Sequence, residues 1–345
     1  MINVLIVDDS AFMRNTLSSM ISSDPGLRVI GTARDGIEAV EKVSSLKPDV
    51  VTLDIEMPRM DGIEALKHIM ENPVPVLMVS SLTTEGAKAT LDALDIGAVD
   101  FIPKNLADLS VNIVKIREIL VEKIKGIGRK RPFRRIIKLT HKPLHMPKAS
   151  QYASKRRISI VAIGSSTGGP RALQNIITQF PEDFPVPILI AQHMPPAFTG
   201  PFAERLNQLS NIKVKEAEDG EPLKKGTVFI APGGGHMKVR RKGMAETCIA
   251  ISKDSGEYIY RPSVDVLMLS IVESFSAYVL GIILTGLGND GEKGMGAIKD
   301  KGGKTIAESE ETCVVYGMPK AVVNAGIADK IVPLDEIAGE IINSV

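Results

Sequence analysis

Five short apolar runs, each followed by an amphipathic stretch, restrict residues 1 to about 122 to a parallel sheet with helices on both faces. The runs are 3-NVLIV-7, 28-RVIGTA-33, 49-DVVTL-53, 75-PVLMV-79 and 99-VDFI-102. After the second, Ile37, Val40, Val43 and Leu46 recur at helical spacing. Four of the runs also close on reactive residues: Asp8 and Asp9 end the first, Asp54 the third, Ser80 the fourth and Lys104 the fifth. With strand order 2-1-3-4-5, these ends meet beside the topological switch point. Crowded carboxylates repel one another and suit a hard, oxygen-seeking cation such as Mg²⁺. That ion and the Lys104 ammonium would offset the charge of an incoming phosphoryl group, so that Asp54 can attack it and form an acyl phosphate. Any one of these acids alone would read as a solvated loop residue. In this order, each at the end of its own strand, they read as a site.

The composition changes from Lys123 to Arg157, where thirteen Lys or Arg occur with no Asp or Glu, and Pro132, Pro143 and Pro147 interrupt the stretch. A basic arm for nucleic acid is one reading. A solvated spacer is the other, and it is favoured because no aromatic platform or helix-turn-helix pattern accompanies the charge. The whole chain carries a formal net charge of +1, which gives no electrostatic sign of a nucleic-acid partner.

From Ile158 the alternation resumes. Strands are expected at 158–164, 186–192, 227–232, 247–252, 278–285 and 303–308. Helices are expected near 169–180, 199–209, 264–276, 292–301, 318–325 and 334–344. The prediction is a second doubly wound α/β domain spanning 158–345. Here 164-GSSTG-168 fits the G-x-S-x-G elbow between a strand and a helix, which would expose the Ser166 hydroxyl at a sharp turn. His193 closes 188-ILIAQH-193, and Asp290 follows 282-IILTGLGND-290. A hydroxyl, an imidazole and a carboxylate are the parts needed to deprotonate serine near neutral pH. The order Ser, His, Asp differs from that of the α/β-hydrolases.

Two features compete with this reading. His236, in 233-GGGH-236 after its own strand, rivals His193 as the base. The run 286-GLGNDG-291, with Glu308 about twenty residues on, mimics a dinucleotide fingerprint. It lies late in the domain, however, and Asp290 would set a negative charge beside the pyrophosphate.

Taken together, Asp8-Asp9, 53-LDIEMPRMDG-62, Ser80 and 101-FIPK-104 resemble the response-regulator receiver family over residues 1–122. The resemblance implies phosphorylation at Asp54, Mg²⁺ held by Asp8, Asp9, Asp54 and the Glu56 carbonyl, and switch positions at Ser80, Phe101 and Lys104. The motifs 163-IGSSTGGP-170, 192-QHMPP-196, 231-APGGGHM-237, 261-RPSVD-265 and 284-LTGLGNDG-291 resemble the catalytic domain of CheB-type protein-glutamate methylesterases across 158–345. This second resemblance implies Ser166 as nucleophile, His193 as base and acid, and Asp290 as the orienting carboxylate. It also implies backbone oxyanion donors at His193 and Leu287, the latter position usually being Met. Methyl-accepting chemotaxis receptors would be the substrate and a chemotaxis histidine kinase the phosphodonor, with no cofactor for the ester chemistry. Glutamine deamidation is a second implied activity, and an opening able to admit a side chain from a receptor helix is expected.

The expected fold class is thus α/β: a flavodoxin-like receiver, a basic linker at 123–157 and a Rossmann-like serine esterase domain, both sheets mostly parallel. Cys248 and Cys313 stand far apart, in no disulfide or zinc spacing. They are expected to be buried and reduced in a cytoplasmic protein without membrane insertion. Two alternatives come from other classes, a regulator with a nucleic-acid output and one with a non-catalytic docking domain. Salt-sensitive retention on DNA would mark the first, and labelling of Ser166 by an ester analogue would exclude the second.

Overall fold

A computed structural model describes residues 1–104, 113–128, 158–242, 246–253 and 258–345, which fall into two compact units. In the first, β1 (Ile2–Val7), β2 (Leu27–Ala33), β3 (Val50–Asp54), β4 (Val76–Ser80) and β5 (Asp100–Pro103) form one sheet, ordered β2-β1-β3-β4-β5. Every strand pair in it is parallel. The helices are α1 (Ala11–Ser22), α2 (Gly36–Leu46), α3 (Gly62–Ile69), α4 (Thr84–Ile96) and α5 (Ile113–Ile127). Their starts follow the chain's own capping residues: Ser10, Asp35, Asp61 and Thr83 each accept a backbone N–H from the first turn. Val4, Ile6, Leu17, Ile21, Leu77 and Ile124 belong to one buried core, each contributing about 1.5–3 kcal/mol by its removal from water.

Helix α5 continues five residues beyond the boundary expected at 122. Leu120, Val121 and Ile124 keep an apolar stripe turned into the receiver core. On its flanks Lys123 pairs with Asp100, and Lys125 with Asp24 at 2.6 Å. The charge count hid this continuation, because amphipathic spacing and not lysine content marks the end of a helix. The rest of the linker, 129–157, lies outside the described residues.

The second unit is built on β6 (Ile160–Ser165), β7 (Ile188–Gln192), β8 (Lys213–Glu216), β9 (Thr227–Ile230), β12 (Val279–Ile283), β13 (Lys304–Glu308) and β14 (Lys330–Val332). Their order is β14-β13-β12-β6-β7-β9-β8, and all pairs are parallel. Around the sheet lie α6 (Gly169–Ile177), α7 (Pro196–Leu209), α8 (Val264–Phe275), α9 (Glu292–Asp300), α10 (Met318–Asn324) and α11 (Leu334–Ile342). From β6 the chain winds first toward β7 and β9, then returns to β12 on the other side, so the switch point falls at the end of β6.

One strand departs from expectation. Residues 246–252 form β11 (Glu246–Ser252), which pairs antiparallel with β10 (His236–Lys242) in a separate ribbon. The ribbon packs on α8, where Ser270 Oγ accepts the Val239 N–H at 2.9 Å and Arg241 donates to the Ser274 carbonyl at 2.7 Å. Cys248 is buried and Cys313 half-buried, and no disulfide joins them. No helix among the described residues is long and apolar enough to cross a membrane.

Candidate functional site

At the carboxyl edge of the receiver sheet, oxygens of Asp8, Asp9 and Asp54 lie within 4.8 Å of one another. Lys104 Nζ sits 2.6 Å from Asp54 Oδ2 and 3.4 Å from Asp8 Oδ2. Burial is the largest influence on Asp54 and, with the nearby Asp8 charge, pushes its pKa up to about 6 against the pull of Lys104 and the Glu56 N–H. Asp8 is raised as well, chiefly by burial. Its buried Oδ2 faces only the Lys104 ammonium at 3.4 Å, with no closer hydrogen bond among the described residues. A buried, weakly partnered carboxylate oxygen beside two further carboxylates fits a divalent cation.

For Asp54 the folded-state value lies above that of the unfolded chain. Its contribution to stability is therefore present below about pH 4 and lost as the pH rises through about 6. A cation selects the ionised form, so its affinity should move the opposite way. Calorimetric titration with Mg²⁺ is expected to give binding about tenfold weaker at pH 5 than at pH 7.5, with proton release at the lower pH. Equal affinity at both values would mean that Asp54 is already ionised at pH 5 or is not a ligand.

The other receiver positions are arranged differently. Ser80 Oγ accepts from Thr90 Oγ1 at 2.6 Å and lies 3.2 Å from the Gly86 carbonyl, so its hydroxyl is turned toward α4 and not toward Asp54. The Phe101 ring is buried. Glu56 meets Asp54 through its backbone N–H.

In the second unit Ser166 follows central strand β6, His193 follows β7 on one side, and Asp290 follows β12 on the other. The β6–β7 register pairs Ser165 with Gln192, which makes Ser166 and His193 neighbours at adjacent strand ends. Gly286 permits the close approach of the β12 loop: a Cβ there would come within 2.8 Å of Ser166 Cβ. The Ser166 N–H donates to the Thr285 carbonyl at 3.0 Å.

His193 Nε2 lies 2.8 Å from Asp290 Oδ2. Asp290 also accepts from Val264 N at 2.8 Å, Asp265 N at 3.0 Å and Ser263 Oγ at 2.9 Å, all at the amino end of α8. Burial would raise its pKa; the His193 hydrogen bond and charge and the two N–H donors outweigh it and hold the carboxyl below its ordinary value. With Nε2 directed to the carboxylate, the buried Nδ1, which has no hydrogen-bond partner among the described residues, is the nitrogen left for a proton from serine. This reverses the ring polarity of the chymotrypsin template. No hydrogen bond joins Ser166 Oγ to His193 among the described residues; such bonds commonly close only when substrate arrives. Tyr260 stacks on the imidazole, its ring centroid 4.1 Å away and 11° from parallel.

The rival features find other uses. His236 Nδ1 accepts the Ser263 N–H at 3.2 Å, which makes it a support for the loop that holds Asp290. Glu308 is fully buried, accepts the Thr285 N–H at 2.8 Å and is pushed up to about 7 by burial, so it is no ribose ligand at a surface. The implied oxyanion donor at His193 is corrected, because its N–H is already given to the Ser165 carbonyl at 3.1 Å. The site is also more enclosed than expected: Ser166 is 8% exposed and the His193 side chain 6%. Sequence reasoning gave no roles to Gln192, Tyr260, Ser263 and Asp265, although Gln192, Ser263 and Asp265 lie inside the quoted motifs 192-QHMPP-196 and 261-RPSVD-265.

Fold and sites together define a class in which a receiver precedes a hydrolase-type α/β unit. Residues 4–113 match the response regulator receiver domain and residues 161–341 the CheB methylesterase family. The chain belongs to the CheB methylesterase family. A relative from Nitratidesulfovibrio vulgaris, called protein-glutamate methylesterase/protein-glutamine glutaminase 2, is 51% identical over 99% of both chains. One from Pyrococcus horikoshii, called protein-glutamate methylesterase/protein-glutamine glutaminase, is 45% identical over 100% of this chain and 94% of its own. The crystal structure of the Thermotoga maritima CheB methylesterase catalytic domain is 45% identical, with a TM-score of 0.53, over 55% of this chain and 99% of that one.

Proposed function

We propose that the second unit hydrolyses the γ-methyl esters of glutamate on methyl-accepting chemotaxis receptors. One observation carries this reading. The His193–Asp290 pair at 2.8 Å stands at the strand end beside an elbow serine, in a family whose named relatives are protein-glutamate methylesterases. In the first half-reaction the Ser166 Oγ–carbon bond forms and the carbon–methoxide bond breaks. His193 takes the serine proton at Nδ1 and returns it to the departing oxygen as methanol leaves. Water then attacks the acyl-enzyme, giving its proton to His193, and Ser166 recovers it on release of the carboxylate. Asp290 stays ionised throughout and stabilises the imidazolium. The glutamyl side chain carries its ester three bonds from its own backbone, so an enclosed site needs to admit only the tip.

The relatives' names also carry glutaminase, and the same acyl-enzyme would form from a receptor glutamine with ammonia as the leaving group. In the receiver, Asp54 takes a phosphoryl group from a chemotaxis histidine kinase. Asp8, Asp9, Asp54 and the Glu56 carbonyl would hold Mg²⁺, which offsets the charge of the phosphoryl oxygens when bound. Lys104, already 2.6 Å from Asp54, offsets the remainder. A fluorophosphonate probe tests whether the second unit is an enzyme or a docking module. It is expected to label one residue per chain, Ser166, and to leave Ser166→Ala unlabelled. A wild-type chain that resists labelling would favour the docking module.

A further inference from the structure

We infer that Gln192 is a positioning residue, which sets the spacing between Ser166 and His193 by bridging their backbones from behind. Its carboxamide is buried, and both of its polar atoms are hydrogen-bonded. Oε1 accepts from Ser165 Oγ at 2.6 Å, while Nε2 donates to the Ser166 carbonyl at 3.0 Å and to the His193 carbonyl at 3.1 Å. The link is closed on the other side, where the His193 N–H donates to the Ser165 carbonyl at 3.1 Å. The two backbone carbonyls fix which way the amide faces: rotated by half a turn, Oε1 would oppose both carbonyl oxygens, and only the Ser165 hydroxyl could accept from the amide N–H groups.

The two reacting residues come from different strands, and strand pairing alone leaves the loops after β6 and β7 free to part. One planar amide, donating to the carbonyl of each reacting residue, removes that freedom. Gly169, the first residue of α6, keeps the space for it: a Cβ there would strike Gln192 Oε1 and approach Ser165 Oγ to 2.9 Å. Gly169 is not among the glycines with positive φ, so its absent side chain and not its backbone freedom is what the site needs. Gln192 touches neither the substrate nor the proton; it acts through the placement of the two groups that do.

The proposal rests on Ser166 and His193 as the reacting pair, and the experiment separates the two claims. Wild type, Gln192→Met, Gly169→Ala and Ser166→Ala are compared in the full-length protein. Methanol release from methylated receptor membranes gives kcat and KM, and exhaustive fluorophosphonate titration gives the competent fraction. In that titration the Ser166 oxygen–phosphorus bond forms, fluoride leaves and the serine proton passes to His193. Misplacement by about an ångström costs roughly 100-fold. Gln192→Met is therefore expected to titrate fully, with kcat per titrated site about 100-fold lower and KM within about twofold of wild type. Gly169→Ala adds helix propensity to α6, so its expected loss of about tenfold in kcat per site cannot come from a weakened helix. It decides the matter if Gln192→Met fails to fold. A kcat per titrated site within about threefold of wild type in the folded variants would overturn the proposal, whether or not the titratable fraction falls. Turnover retained by Ser166→Ala would instead overturn the assignment beneath it.

Discussion

Replacing Ser166 or His193 by alanine is expected to lower ester turnover on the order of 10⁴-fold or more, and replacing Asp290 to cost less. The ranking follows from how the three are held. Ser166 is the only one that can bond to the acyl carbon, and without the imidazole its proton has no acceptor. Asp290 works at one remove, by keeping Nε2 engaged so that Nδ1 faces the serine. Three donors from the start of α8 already fix that carboxylate. Asp290→Asn would retain the shape yet could turn an amide N–H toward His193, which favours the wrong tautomer. His236→Ala is expected to lose no more than about tenfold, because His236 accepts the Ser263 N–H, and loss of the Ser263 hydroxyl from Asp290 would still leave two N–H donors on that carboxylate. Steady-state kinetics of the four variants decide the matter. A larger loss in His236→Ala than in His193→Ala would transfer the role of base.

Asp54→Asn is expected to abolish phosphorylation of the chain by an acyl-phosphate donor in Mg²⁺, as read by phosphate-affinity electrophoresis. The amide removes the nucleophilic oxygen and one of the three negative charges that favour the cation, leaving Lys104 to pair with Asp8 and Asp9. Undiminished labelling in that variant would mean another acceptor. The consequence for the hydrolase follows from covalent tethering, which keeps the receiver at high effective concentration near it, so that weak docking would be well populated. The fragment 158–345 corresponds to a domain whose relative was solved alone, and it is expected to exceed the intact unphosphorylated chain in activity. The donor should raise the activity of the intact chain and not that of the fragment. An acyl phosphate on Asp54 that drew Ser80 toward it would break the hydrogen bond from Thr90 Oγ1 and release α4 from that contact.

How much of this was legible in the sequence depended on whether a residue's role is local. Strand-end chemistry was readable, because parallel strands are apolar runs and their carboxyl ends share one edge. Asp54, Lys104, Ser166, His193 and Asp290 were all singled out in that way, and the structure places each at or after the carboxyl end of a strand. The short strands β8, β10 and β14 were not, since edge and ribbon strands such as 213-KVKE-216 and 236-HMKVRRK-242 carry charge where a core strand carries Val or Ile. The 247–252 run was recognised as a strand but placed in the wrong sheet, because periodicity reports a pleat and says nothing of its partner. The extent of α5 was missed because its lysines stood out more than Leu120 and Ile124. Gln192, Ser263 and Asp265 remained silent for a different reason. Each makes hydrogen bonds to residues 25 to 27 positions away, and no local pattern records such a pairing.

The most direct measurement is methanol released from receptor membranes carrying methyl-esterified glutamates, with wild type and Ser166→Ala assayed at equal folded concentration. Wild type is expected to release methanol in proportion to the esters lost, with a phosphodonor raising the rate, and Ser166→Ala to remain at the uncatalysed level. Equal release by both proteins, or ester loss by neither while a fluorophosphonate still labels Ser166, would contradict a glutamyl methylesterase built on Ser166, His193 and Asp290.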